Sequence, residues 1–206
     1  MQNHGDDHNN RQEILFHAKV LYAEKGFSGT SMRDIAQSAS VNLSLIYYYF
    51  KNKEDLFLSV LEEGFLEMNK TLQKELEKSQ DVVEAIRNFI RGLMNFTFYN
   101  KYHFQIMQQE ILLHGGSFFR SVIDRHEDSS WKKFEQIIKR GIEDGVLKPS
   151  HHQLTYYSLI GMMVYYAMAK PVIQERLGME DYDAVFLEEL VKHTTDLFLY
   201  GAIENN

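Results

Sequence analysis

The order of apolar and polar residues along this chain follows the period of an α-helix. In residues 11–25 apolar side chains recur every three or four positions, and Gly26 follows as a helix-ending residue. The same pattern predicts short helices over 31–38 and 42–50. Longer stretches predict further helices over 52–76, 81–100, 102–114, 117–144, 151–174 and 183–202. No strand-like alternation extends beyond a few residues, so we expect an all-α fold of nine or ten helices.

Three of these helices begin with side chains that can bind free backbone N–H groups. Ser31 stands three residues before Asp34, Asn42 precedes the third short helix, and Ser150 stands three residues before Gln153. Serine or asparagine at such a position accepts a hydrogen bond from a backbone N–H, and an acid or glutamine three residues later binds back. These caps fix helix starts that the apolar pattern leaves approximate.

The composition is that of a globular protein and excludes several kinds of site. Hydrophobic residues make up 44% of the chain, charged residues make up 25%, and there are two prolines. The absence of cysteine excludes disulfides, thiolate metal sites and cysteine nucleophiles. Residues 1–10 are polar and lack the pattern of a secretory signal, so we expect a disordered tail there. No apolar run approaches the roughly 18 residues of a membrane span, so a cytoplasmic protein without a membrane partner is expected.

The net charge of −7 is unevenly distributed along the chain. Residues 1–53 contain six Lys or Arg and five Asp or Glu, whereas residues 54–206 contain 16 and 24. The first part is therefore +1 and the second −8. An acidic body would repel nucleic acid and orient the N-terminal end toward it, although solvated acidic faces explain the same numbers.

The segment over residues 23–56 reads AEKGFSGTSMRDIAQSASVNLSLIYYYFKNKEDL. Two short helices joined by a tight turn form a helix-turn-helix, whose second helix enters the major groove of DNA. Ile35 packs in the first of them, Val41 fits the turn, and Ile46 and Phe50 lie on the inner face of the second. Three consecutive tyrosines, 47–49, would be unusual in a core because each buried hydroxyl needs a partner, which DNA phosphates can supply.

This segment resembles the N-terminal signature of the TetR (tetracycline-repressor) family of transcription regulators. The shared positions are a helix ending in EKGF, then T-S-x-x-D-I-A, then V-x-x-x-x-x-Y-x-Y-F-x-x-K-E-x-L. The rest of the chain resembles the family in its helix pattern and in GIEDGVLKP at 141–149. The resemblance implies a homodimer that binds a pseudo-palindromic operator and releases it when a small molecule binds. It also implies a DNA-binding domain over 11–52 and a ligand-binding and dimerisation domain over 53–206.

The resemblance implies DNA contacts for nine residues. It places Arg33, Leu43, Ser44 and Leu45 toward the bases and Ser31, Tyr47 and Lys53 toward the phosphates. It allows either role for Tyr48 and Tyr49. Lys53 begins the fourth helix, where N-terminal N–H groups also attract a phosphate. Because leucine can contact the thymine methyl group, we expect thymine-rich bases beneath the third helix.

Aromatic rings and methionines are frequent in the C-terminal part of the chain. Most are equally typical of a packed core, but rings and flexible thioethers also line pockets for apolar small molecules. The resemblance implies such a pocket. The residues expected to line it are Phe65, Phe89, Met94, Phe104, Met107, Trp131, Phe134 and Met162.

The resemblance implies a dimer interface formed by the last two long predicted helices, 151–174 and 183–202. Gly161 and Ala167 permit close helix approach. The last helix also has an apolar stripe that must be buried, formed by Leu187, Leu190, Val191, Thr194 and Phe198.

Other functions are less consistent with the sequence. The nine histidines show no spacing typical of a metal site, and His151 and His152 are adjacent and so point in different directions. No phosphate-binding glycine loop or catalytic triad pattern is recognisable, so we expect no metal, no cofactor and no enzyme activity. The alternative is a helical small-molecule-binding protein or an enzyme that uses the aromatic C-terminal cavity.

Overall fold

The computed structural model describes residues 4–126, 129–148 and 151–202. These residues form eleven α-helices and no β-strand, as the apolar pattern predicted. The helices are α1 (His4–Lys25), α2 (Met32–Ser38), α3 (Leu43–Tyr49), α4 (Lys53–Leu76), α5 (Val82–Tyr99), α6 (Lys101–His114), α7 (Ser117–Arg125), α8 (Ser130–Glu143), α9 (His152–Met168), α10 (Lys170–Leu177) and α11 (Ala184–Ala202).

The chain divides into two compact units. The first unit comprises the described residues of Met1–Glu67 and Asn100–Glu127, and therefore holds α1 to α3, most of α4, α6 and α7. The second unit comprises those of Met68–Tyr99 and Asp128–Asn206, and holds the end of α4, α5 and α8 to α11.

The predicted caps order the start of the first unit. Ser31 and Asp34 form the complete capping box of α2, and the Asn42 side chain accepts the Leu45 N–H at the start of α3. Gly26 follows α1 with φ +73°, a left-handed conformation that glycine adopts without the steric cost of a Cβ. In the turn between α2 and α3, Ser40 has φ +53°.

The core of the first unit packs α1 against the helices that follow it. Its fully buried side chains include Ile14 and Tyr22 of α1, Ile35 of α2, Ile46 of α3 and Leu56 of α4. Burial raises the pKa of the Tyr22 phenol, whose hydroxyl donates to the Lys53 carbonyl oxygen at 3.3 Å. The hydroxyl is therefore neutral and hydrogen-bonded, as a buried tyrosine requires.

The corner between α6 and α7 is closed by a side chain. Gly115 and Gly116 both adopt left-handed φ values, +66° and +76°. The buried Glu110 carboxylate accepts the Phe118 N–H at 2.9 Å, so a residue of α6 caps the first turn of α7. One residue earlier, the Gln109 amide donates to the Ala23 carbonyl near the end of α1 at 2.9 Å.

The second unit is built around α5, which packs against α8, α9 and α11. The rings of Phe89 and Phe134 stack at 3.7 Å between centroids, and both side chains are fully buried. Arg91 binds Glu188 of α11 through two hydrogen bonds of 3.0 and 3.1 Å, so α5 and α11 are also joined at their surface.

Three predicted helix boundaries were wrong. Helix α1 begins at His4, so residues 4–10 are helical where a disordered tail was expected. The single helix expected over 117–144 is two, because His126 leaves the helical conformation and Ser129 caps a new helix through the Lys132 N–H. The helix expected over 151–174 ends at Met168, and Pro171 lies in the first turn of α10, where its missing N–H costs no hydrogen bond. The predicted Ser150 cap lies outside the described residues.

The apolar stripe of α11 is buried within the chain itself. Leu187, Leu190, Val191 and Thr194 are buried in the single protomer, where α11 packs against α5. The burial that this stripe requires is therefore supplied by α5 of the same chain, and the dimer interface expected over 151–174 and 183–202 stays a prediction. The stripe belongs to the core of the second unit.

Candidate nucleic-acid interface

Five of the nine residues expected to contact DNA share one surface concavity of the first unit. This concavity has a volume of about 590 Å³ and lies between the start of α2 and the exposed side of α3. It is lined by Ser28, Gly29, Thr30, Ser31, Met32, Arg33, Asp34, Leu43, Tyr47 and Lys53. The fold thus brings together residues from three helices and one loop.

Helix α3 buries one side and exposes two of its three tyrosines. Ile46 is fully buried and Phe50, just after the helix, is 1% exposed, as predicted. Tyr47 and Tyr48 are 52% and 72% exposed, whereas Tyr49 is half-buried and its ring contacts that of Tyr48 edge-on. Two adjacent exposed phenols make the helix a surface suited to hydrogen bonding with a polar partner.

The hydroxyl of Ser31 is engaged in the fold. It donates to the Asp34 carboxylate at 2.6 Å and accepts the Asp34 N–H at 3.1 Å. The Ser31 N–H also binds this carboxylate at 2.8 Å. Hydrogen bonds from the Ser31 side chain and backbone lower the pKa of Asp34, so the carboxylate remains charged and the start of α2 stays closed.

Asn42 organises the N-terminal end of α3. Its amide oxygen accepts both the Leu45 N–H at 2.9 Å and the Ser44 hydroxyl at 2.6 Å. The Ser44 hydroxyl hydrogen is therefore engaged by Asn42, while its oxygen can still accept a hydrogen bond. The exposed NH₂ group of Asn42 is a hydrogen-bond donor at the same end of the helix. Asn42 is not among the nine residues expected from the sequence to contact DNA, although its position two residues before Ser44 would have indicated it.

Lys53 is held by the loop between α1 and α2. Its ammonium donates to the carbonyl oxygens of Phe27 at 2.8 Å and Thr30 at 3.0 Å. The same nitrogen lies 4.2 Å from the centroid of the Phe27 ring, a cation–π contact. Arg33 and Lys51, by contrast, are exposed cations of this unit.

The residues expected to line a ligand pocket fall in both units. Phe65, Phe104 and Met107 belong to the first unit; Phe89, Met94, Trp131, Phe134 and Met162 belong to the second. In the second unit they form part of an aromatic cluster, in which Trp131 contacts Phe89 and Tyr156 at 5.7 and 5.8 Å between centroids. The Trp131 indole N–H is buried and has no acceptor among the described residues.

Within residues 4–126, 129–148 and 151–202, no three His, Asp or Glu side chains are grouped so that they could hold a metal ion. In the same ranges no helix is both long and apolar enough to cross a bilayer.

Known proteins with related sequences are regulators of transcription. Residues 14–60 match the profile of the bacterial regulatory proteins of the tetR family. The chain is 26% identical over 180 residues to the probable HTH-type transcriptional regulator YttP of Bacillus subtilis, covering 85% of this chain and 86% of that protein. It is 24% identical over 200 residues to the HTH-type transcriptional repressor KstR2 of Mycobacterium tuberculosis, covering 91% and 96%.

Solved structures share the fold along nearly the whole chain. The regulator FadR of Bacillus subtilis, solved in complex with stearoyl-CoA, superposes with a TM-score of 0.73 at 21% identity, covering 92% of this chain and 98% of that one. The relatives are DNA-binding regulators and not enzymes. The signature over residues 14–60 is that of the tetR family of bacterial regulatory proteins, and the all-helical fold and the curated and solved relatives are those of TetR-family transcription regulators.

Proposed function

We propose that this protein is a repressor that binds a pseudo-palindromic operator as a homodimer and releases it when a small apolar effector binds. The observation that carries the proposal is the exposed pair Tyr47 and Tyr48 on α3, beside a concavity that also contains Arg33. A helix with one buried face and exposed hydrogen-bonding groups fits the major groove. The regulator acts in the cytoplasm, where the bacterial chromosome lies.

The proposed DNA contacts follow from these positions. Arg33, Leu43, Ser44 and Leu45 face bases, Ser31 and Tyr47 face phosphates, and Tyr48 and Tyr49 serve in either role. Arginine is the side chain best suited to read guanine, and leucine to contact a thymine methyl group. The operator therefore has thymine-rich bases beneath α3, and residues 11–52 form the DNA-binding domain.

The proposed dimer interface is the outer side of α9 together with α11. Exposed residues of α9 recur every three or four positions and form one stripe of Leu154, Tyr157, Gly161, Tyr165 and Met168. Helix α9 contains no Asp, Glu, Lys or Arg. Val185, Leu197 and Tyr200 are the large exposed apolar residues of α11. A continuous apolar stripe of this kind is typical of a surface that a partner covers, and a second copy supplies a matching stripe by symmetry.

The proposed effector binds in the ligand-binding and dimerisation domain, residues 53–206. The aromatic cluster around Trp131 supports an apolar ligand, and its buried indole N–H supports a polar acceptor group on that ligand. The related FadR holds stearoyl-CoA. The stearoyl chain is the apolar part of that ligand, so acyl-CoAs, which also carry polar acceptor groups, are the first effector class to test. The ligand releases DNA because it binds more tightly to the conformation in which the two α3 helices no longer fit adjacent grooves.

The test is a selection of binding sites from random DNA, followed by gel shifts on the selected sequence. We expect an inverted repeat with half-sites roughly one helical turn apart, thymine-rich where α3 lies. Stearoyl-CoA, and a panel of shorter acyl-CoAs, should weaken the shift. Recovery of no preferred sequence would contradict operator recognition, and G-rich half-sites opposite α3 would contradict the leucine contacts. A shift unaffected by any acyl-CoA would exclude that effector class.

A further inference from the structure

Phe27 lies at the centre of an aromatic cluster in the first unit. Its ring centroid is 4.9 Å from that of Phe57 on α4, 5.5 Å from that of Phe118 on α7 and 5.9 Å from that of His114 on α6. Phe57 and Phe118 also contact each other at 5.4 Å. The loop after α1 is thus anchored by rings from three other helices.

The Lys53 ammonium at the start of α4 also binds this loop. Two of its three N–H groups bind the carbonyl oxygens of Phe27 and Thr30, and the charge lies over the Phe27 ring. The Thr30 side chain in turn donates to the carbonyl oxygens of Leu21 and Gly26, at 3.2 and 3.0 Å. The Thr30 side chain therefore ties the loop to the end of α1, and the Lys53 ammonium ties two carbonyl groups of the loop to the start of α4.

We propose that Lys53 is a positioning residue for operator binding, and that it does not act by neutralising a phosphate. With Phe27 it forms a brace that holds the loop over residues 26–30 and so sets the start of α2, where Ser31 and Arg33 face DNA. The proposal rests on the proposed function, because it assigns Lys53 a role in operator binding. It differs from what a lysine at a helix N-terminus ordinarily does, which is to attract an anion directly.

The brace also joins the DNA-facing loop to α6 and α7. His114 and Phe118 contact the same ring that Lys53 covers. A displacement of the α6–α7 corner therefore changes the packing of Phe27 and, through it, the two carbonyl groups that Lys53 binds.

The first test measures the loop in the absence of DNA. Hydrogen exchange at the amides of Thr30, Asp34 and Ile35 is recorded for the wild type and for Lys53→Met, which keeps the aliphatic stem but removes the ammonium. We expect faster exchange at these amides in Lys53→Met and in Phe27→Leu. Lys51→Met is the matched control, since it removes an exposed cation two residues away, and it should leave these amides unchanged. Unchanged exchange in a folded Lys53→Met protein would overturn the brace.

The second test measures operator affinity at several salt concentrations. Loss of a phosphate contact lowers the salt slope of log K by about 0.9, whereas loss of a positioning residue lowers affinity at every salt concentration with the slope unchanged. We expect Lys53→Met to weaken binding about tenfold, with the wild-type slope. A slope reduced by nearly one unit would assign Lys53 to a phosphate and overturn the proposal. If the wild type binds no operator at all, the proposed function fails, while the exchange experiment still decides whether the brace exists.

Discussion

Helices α3 and α9 both expose tyrosines, but their neighbours differ in kind. On α3, Tyr47 and Tyr48 are 52% and 72% exposed, and Tyr47 shares a concavity with the cationic Arg33 and the polar Ser31. On α9, Tyr157 and Tyr165 are 67% and 60% exposed and share their stripe with leucine, glycine and methionine.

This difference shows why exposure alone does not identify a partner. A phenol among polar groups gains from its hydroxyl, because a charged acceptor such as a phosphate strengthens the hydrogen bond. A phenol among apolar groups gains from burial of its ring. We therefore propose that the same residue type serves DNA binding in one unit and protein association in the other, and experiments can separate the two roles.

The largest effect is expected from a charge in the middle of the α9 stripe. A Cβ at Gly161 would meet no atom within 4 Å, so Gly161→Glu fits the single protomer without a clash. It should nevertheless abolish the dimer, because a carboxylate would be buried between two apolar stripes. Operator affinity should then fall at least ~100-fold, since the two DNA-binding domains no longer bind as a linked pair. Light scattering and gel shifts measure both quantities.

The control for this variant is Gln136→Glu, which adds the same charge at an exposed position of α8 in the same unit. It should leave the dimer and operator binding intact. A Gly161→Glu protein that remains dimeric would remove α9 from the interface.

The next effect concerns the stability of the first unit in acid. Burial and the nearby Lys19 ammonium lower the pKa of His103 on α6 from 6.5 to about 4, although the Glu67 carboxylate lies 3.5 Å from its Nδ1. Between these values the unfolded histidine binds a proton and the folded one does not. Stability is therefore lost as the pH falls, by about 2 kcal/mol between pH 7 and 5.

Urea unfolding at the two pH values measures this loss, and His103→Gln should remove most of it. Hydrogen exchange should locate the change in α6 and leave the amides of α11 in the second unit little affected. An equal loss in the glutamine variant would assign the acid sensitivity to other groups.

A smaller effect should distinguish the two kinds of tyrosine directly. Tyr47→Ala should weaken operator binding about tenfold without changing the dimer. Tyr47→Phe should weaken it nearly as much, because the hydroxyl makes the contact. Tyr165→Ala should instead weaken the dimer, and Tyr165→Phe should restore it because the ring area is kept. Sedimentation measures the dimer, and gel-shift titrations measure operator affinity, for each of the four variants. A Tyr47→Phe protein with wild-type affinity would show that α3 also uses its rings.

The smallest effect is expected at the surface of the second unit. Arg91 and Glu188 form a two-point ion pair that lowers the pKa of Glu188 through the arginine hydrogen bonds. The Glu188 side chain is more than half exposed, so solvent screens the pair. Arg91→Met should cost less than about 1 kcal/mol of unfolding free energy. The difference from wild type should shrink in high salt; a cost of several kcal/mol would mean that the pair is structurally essential.

Local chemistry explains which parts of the fold and of the site were predictable. The caps at Ser31 and Asn42 and the inward side of α3 depend on residues a few positions apart, so the sequence contains them. The break between α7 and α8 was missed because apolar residues continue at helical spacing on both sides of it. Pro171 falls within the helix expected over 151–174, whereas in the fold it lies in the first turn of a new helix, α10.

Tertiary contacts account for what the sequence did not disclose. Nothing near Leu187 or Val191 in the sequence indicates that α5 of the same chain would cover them. Lys53 was expected to face a phosphate because its position at a helix start is visible locally. The Phe27 and Thr30 carbonyl oxygens that bind its ammonium lie more than twenty residues earlier and approach it only in the folded chain.

The Glu110 cap has a mechanical consequence for the first unit. Because this carboxylate of α6 binds the first turn of α7, a movement of α6 along its axis would be transmitted to the start of α7. Phe118 lies in this first turn of α7, and its ring contacts that of Phe27. Glu110→Asp shortens the side chain by one methylene and would remove this hydrogen bond. A movement of α6 would then no longer be transmitted to α7 or to the loop that Phe27 anchors.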